Sequence, residues 1–117
     1  MPRKDWGIGT RWDVHVRDKC RCVYGGLDGA DGYRWDLFTN DHLVPFSRGG
    51  SYEMVNLVTA CLGCNYLKAD YDPRENDEPV TLENTPRLIQ KAKDEIDRRR
   101  RLWQDDFRAI LRQAGRL

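Results

Sequence analysis

The chain has no apolar run near the roughly 20 residues that a membrane-spanning helix needs, and its mean hydropathy of -0.79 describes a water-facing protein. Its opening residues, "MPRKDWGIGTRWD", place no apolar stretch behind the basic ones. That argues against a secretory leader and gives a cytoplasmic expectation. Net charge is only +1, so no overall field draws the chain to nucleic acid or to a membrane. No internal repeat is visible. Histidine is scarce, with two residues, and so is cysteine, with four. The 117 residues fit one domain with a modest core, the size at which a metal or a partner adds needed stability.

What is present is unevenly placed. "ADYDPRENDEPVTLEN" is acidic, and "RRRR" at 98–101 is a dense positive block with acidic residues at 94, 95, 97, 105 and 106 around it. The block reads as an exposed helix face with internal ion pairs, with a backbone track for nucleic acid as the other reading. The cysteines fall into two close pairs, Cys20/Cys22 and Cys61/Cys64. In a reducing compartment such pairs more often hold a metal than a disulfide.

Along the chain, residues 1–10 read as a loose arm. "TRWDVHVRDKC" fits a short helix or a strand, because its periodicity does not decide. "CRCVYGGLDGADG" is a turn-rich knuckle. "YRWDLFTNDHLVP" predicts a strand ended by Pro45, "FSRGGSYE" a loop, "MVNLVTAC" a second strand and "LGCNYLKAD" a helix. The last third predicts a long helix, capped by Asn84 or Thr85, with Pro86 in its first turn. Its apolar residues Leu88, Ile89, Ala92, Ile96, Trp103, Phe107, Ile110 and Leu111 recur at three- and four-residue steps. The Trp103/Phe107 end reads as core or as a dimer seam.

Two thiol pairs across a long loop can close a tetrahedral Zn2+ site through Cys20, Cys22, Cys61 and Cys64. Cys61-x-x-Cys64 has the usual spacing, and Cys20-x-Cys22 is tighter than usual. A second group is "NDHLVPFSRGG", followed by Asn56 and Asn65. Asp41 and Asn65 offer two hard oxygens, the sparse set of Mg2+ sites that water and phosphate complete. Histidine suits general-base work near neutral pH, and His42 is the candidate for it.

"DHLVPFSRGGSYEMVNLVTACLGCNYLK" resembles the HNH endonuclease family, the ββα-metal nucleases. The resemblance runs over about residues 11–72 and reads His42, Asn56, Asn65, with the final Asn in place of His being a common family variant. It implies that His42 is the general base and that Asn56 fixes the loop orienting it. It implies that Asp41 and Asn65, with His42 beside them, form the site of a catalytic Mg2+ or Mn2+. The cysteines would form the family's zinc knuckle. One departure stands out. The family writes Cys-x-x-Cys in its first knuckle, and this chain writes Cys22-Val-Tyr-Gly25, so Cys20 is the natural substitute and His15 the reserve ligand.

The expectation is therefore an α+β fold: a ββα-metal core with zinc knuckle over 1–72, an acidic linker over 73–84 and a helical extension over 85–117. The expected activity is metal-dependent DNA nicking, with Arg48 and Lys68 meeting phosphates beside the ion. The rival is a non-catalytic zinc module that binds nucleic acid or a protein. The partner expectations are DNA, no membrane, and a homodimer or larger complex through the C-terminal helix, as in phage packaging or a restriction system.

Overall fold

The computed structural model describes residues 10–29, 31–32 and 35–117. The expected N-terminal arm lies almost wholly outside them. Helix α1 spans Thr10–Arg17. The ambiguous stretch is thus a helix, and burial explains why. Of Trp12, Val14 and Val16, whose spacing also fits a strand, only Val14 is fully buried, while Val16 lies in solvent.

Strands β1 (Phe38–His42) and β2 (Leu57–Cys61) form one antiparallel hairpin, with Phe38 opposite Cys61 and His42 opposite Leu57. Both are shorter than the sequence pattern suggests. The aromatic run before β1 turns through a 3-10 segment, Trp35–Leu37, and Met54–Asn56 does the same before β2. Helix α2, Leu62–Lys68, follows β2 directly, and α3 runs from Thr85 to Gln113. The result is a small α+β unit of hairpin and helix, with a long helix laid across α2.

Strand alternation divides the hairpin into two faces. Phe38, Asn40 and His42 face one way with Leu57 and Thr59, and Thr39 and Asp41 the other with Ala60 and Val58. The C-terminal end of α1 and the residue after it hold β2 and the turn before it by polar bonds: the Asp18 carboxylate accepts the Thr59 amide at 2.8 Å, and Arg17 donates to the Met54 carbonyl at 2.7 Å. The second face carries the core, in which Tyr24, Leu43, Val58 and Ala60 meet Leu88, Ala92 and Ile96 of α3. Half of the predicted apolar stripe of α3 therefore belongs to the same core as the hairpin. The other half, with Trp103, Phe107 and Ile110, is exposed.

One expectation about α3 changes and one is met. Asn84 precedes the helix but makes no capping bond to it; its side chain closes the preceding turn, accepting from the Thr81 amide at 2.8 Å. The arginine block, as expected, makes internal ion pairs, through Arg98, Arg99 and Arg100. Arg98 and Arg99 both bind Glu95, and Arg99 also donates to the Leu67 and Lys68 carbonyls at 2.7 and 2.9 Å. Those carbonyls end α2 and lack helical partners, so Arg99 satisfies them as a C-terminal cap would.

Candidate functional site

His42 closes β1, and its backbone is held from two sides. The Leu43 amide donates to the Asn56 carbonyl at 2.8 Å, and the Lys68 ammonium donates to the His42 carbonyl at 2.9 Å. Its ring packs edge-on against Tyr52, with centroids 4.5 Å apart, and near Phe46 at 6.2 Å. Nε2 is buried and has no hydrogen-bond partner among the described residues. An imidazole nitrogen without a partner keeps its lone pair or proton available, and burying it costs free energy that structures rarely carry without a use.

Asn56 is the clamp of the loop after His42. Its carbonyl oxygen accepts the Val44 amide at 2.8 Å, and its Nδ2 donates to the carbonyls of Val44 and Ser51 at 3.0 and 2.9 Å. Gly50 explains the glycine pair of the loop. A Cβ there would sit 1.7 Å from the Val44 carbonyl oxygen, so only glycine lets the loop fold back on Val44.

Asp41 points to the other face. Tyr24 donates to its Oδ2 at 2.6 Å, and Lys68 lies 3.1 Å from the same oxygen. Oδ1 takes neither contact. Burial pushes the Asp41 carboxyl up and the Lys68 ammonium down, and each partner's charge opposes the other's shift. Asn65 stands one turn before Lys68 on α2, so the two share a helix face. Lys68 is the residue whose expected role meets the wrong geometry. It is wholly buried and bound, which leaves it no surface on which to meet a phosphate. Arg48 is exposed, its guanidinium 3.5 Å from the Asp70 carboxylate.

The knuckle also differs from its expectation. The sulfurs of Cys22, Cys61 and Cys64 lie within 4.8 Å of one another. Cys20 is exposed and outside this group. Its backbone explains this: Lys19 and Cys20 both have positive φ, 56° and 54°, and the Cys20 amide is tied back to the His15 carbonyl at 2.8 Å. His15 is not in reserve, since its ring contacts Thr59 Oγ1 at 2.8 Å and Asn40 Nδ2 at 3.1 Å. In the cluster, a hydrogen bond from Cys64 holds the Cys22 thiol far down, at about 4, and the same bond pushes Cys64 up. Arg100 donates to the Cys64 sulfur at 3.2 Å. Three soft donors around one point suit Zn2+.

Residues 33–78 match the family model described as HNH endonuclease. This stretch belongs to the HNH endonuclease family. The matched HNH segment holds the hairpin, the glycine loop, α2 and Cys61 and Cys64, and it ends before α3; Cys22 lies outside it. No curated protein and no solved structure matches the chain. Among the described residues, no helix is long and apolar enough to cross a membrane.

Several partners escaped the sequence reading. Tyr24, which binds Asp41, sits in a turn-rich stretch with no periodic signal. Phe46 and Tyr52, which cover His42, looked like loop residues. The Asp41–Lys68 pair is a contact 27 residues apart in the chain, and neither neighbour's letter announces it.

Proposed function

We propose that the chain is a metal-dependent DNA endonuclease of HNH type that nicks one strand per site. The observation that carries this reading is the unpartnered Nε2 of His42 beside a loop locked by Asn56. His42 would take the proton of the attacking water, and Asn56 would keep the loop, and so the ring, in place. Asp41, through Oδ1, and Asn65 would hold the divalent ion, which when bound polarises the phosphate and stabilises the leaving oxygen. Arg48 would meet a neighbouring phosphate. Phe46 and Tyr52 must shift for a substrate to reach the ring.

The decisive experiment is conversion of supercoiled plasmid to open circle with Mg2+ or Mn2+. His42→Ala is expected to lose about 10²–10⁴-fold in rate while keeping its circular-dichroism spectrum. Unchanged nicking by that variant removes His42 from the chemistry. A second reading, a zinc-stabilised module that binds without cutting, is favoured by one observation: Lys68 already neutralises Asp41 at 3.1 Å. It predicts DNA binding and no cleavage with any divalent ion.

A further inference from the structure

The two turns that meet at the cysteine cluster are matched position for position, except at one corner. Cys61 and Cys64 are three residues apart, and the Cys64 amide donates to the Cys61 sulfur at 3.4 Å. Cys22 and Gly25 are also three apart, and the Gly25 amide donates to the Cys22 sulfur at 3.3 Å. The second turn thus has the same amide-to-sulfur bond but no second thiol. A Cβ at Gly25 would lie 2.9 Å from the Cys64 sulfur and 4.0 Å from the Cys22 sulfur, so this position faces the cluster, and the Cys64 sulfur has to shift to admit a side chain there. Gly25 is itself exposed, on a shallow depression shared with Arg21, Tyr24 and Lys93.

We propose that this knuckle holds Zn2+ on three thiolates, Cys22, Cys61 and Cys64, and leaves the coordination corner at Gly25 to an exchangeable small donor such as water, imidazole or a small thiol. The inference rests on reading the cluster as a metal site and is independent of the nuclease chemistry. Zinc in proteins takes four ligands, and a site with three protein ligands keeps its fourth open. Among the described residues, no fourth cysteine, histidine or carboxylate joins the three sulfurs. Cys20 is turned outward, and the His15 ring is engaged by Thr59 and Asn40. Three thiolates on a dication carry one net negative charge, and the Arg100 guanidinium on the Cys64 sulfur offsets it.

The test is the full chain loaded with Co2+ in place of Zn2+. Thiolate-to-cobalt absorption counts sulfur ligands, and the d–d bands respond to a change of donor. The expected wild-type d–d bands shift on adding imidazole or 2-mercaptoethanol, and Cys20→Ser leaves both sets of bands unchanged. Gly25→Cys is expected to raise the charge-transfer intensity by about one third, the step from three thiolates to four, and to abolish the response to added donors. If Gly25→Cys does not fold, the donor titration of the wild type and Cys20→Ser decide alone. Loss of charge-transfer intensity in Cys20→Ser, or wild-type d–d bands that ignore added donors, overturns the open corner while leaving the metal site intact. Failure to bind cobalt at all overturns both.

Discussion

Lys68 and Asp41 form an ion pair at 3.1 Å in which the lysine is wholly buried and the carboxylate nearly so. The pair joins α2 to β1, and the same ammonium holds the His42 carbonyl. Two charges out of water are tolerated only together, because each alone faces the full cost of desolvation. Lys68→Met should therefore lose about 3–5 kcal/mol of stability, the cost of stranding a buried carboxylate. A urea titration checks it: the midpoint falls and the slope stays unchanged. A midpoint like that of the wild type would mean that Asp41 reaches water when Lys68 is gone.

Asn56 is the second test of the scaffold. Its three bonds to Val44 and Ser51 are all to backbone groups. Asn56→Ala leaves those groups without partners, at about 1–3 kcal/mol for each that stays buried. The loop carrying Phe46 and Tyr52 should loosen with it. Faster amide exchange at Val44 than in the wild type is the expected signature, with plasmid nicking reduced through ring placement rather than through metal affinity.

How much of this was legible in the sequence follows from the kind of contact involved. The hairpin and α2 were readable because Pro45, Gly49, Gly50 and the Cys61-x-x-Cys64 spacing are local signals. Asn56 was readable because its place in the motif is fixed. Lys68 was not, since a lysine looks the same whether it ends in solvent or under a helix; only the packing of α3 decides. Cys20 was misplaced because spacing says nothing of the two positive-φ residues that turn it outward. The arginine block was read the right way for a local reason: its acidic neighbours sit three and four residues off, where helix geometry pairs them.

The knuckle gives a stability prediction that needs no enzyme assay. A ligand that binds only the folded chain stabilises it by RT ln(1 + [L]/Kd), about 2.7 kcal/mol at a hundredfold excess over Kd. Zinc should raise the thermal midpoint and a chelator should reverse the rise. Cys22→Ser should abolish the zinc response, because Cys22 is one of the three converging sulfurs. Cys20→Ser should keep it. Calorimetric scans of the three proteins with zinc and with chelator check both statements, and an equal loss in Cys20→Ser would return that residue to the ligand set.

The junction of α2 and α3 should contribute to the pH dependence of stability at its acid end. Hydrogen bonds from Arg98, and then from Arg99, hold the Glu95 carboxyl down at about 2, against an ordinary value of 4.5. A carboxyl whose folded pKa lies below its unfolded one stabilises the fold above pH 4.5, and that contribution drains away as pH falls from there to about 2. Asp41 runs the opposite way. Burial raises its pKa, so what it contributes is complete below its unfolded value and is lost as pH rises through its folded value. The whole-protein curve mixes these with the depressed carboxyls of Asp72 and Glu78, and the difference between wild type and Glu95→Gln isolates the Glu95 part. Above pH 4.5 the wild type should unfold at higher urea than Glu95→Gln; the gap should narrow steadily below that and close near pH 2. Because Arg99 uses its other nitrogen on the carbonyls that end α2, Glu95→Gln should also speed amide exchange in the last turn of that helix. A gap that persists undiminished at low pH would mean that Glu95 acts through packing and not through its charge.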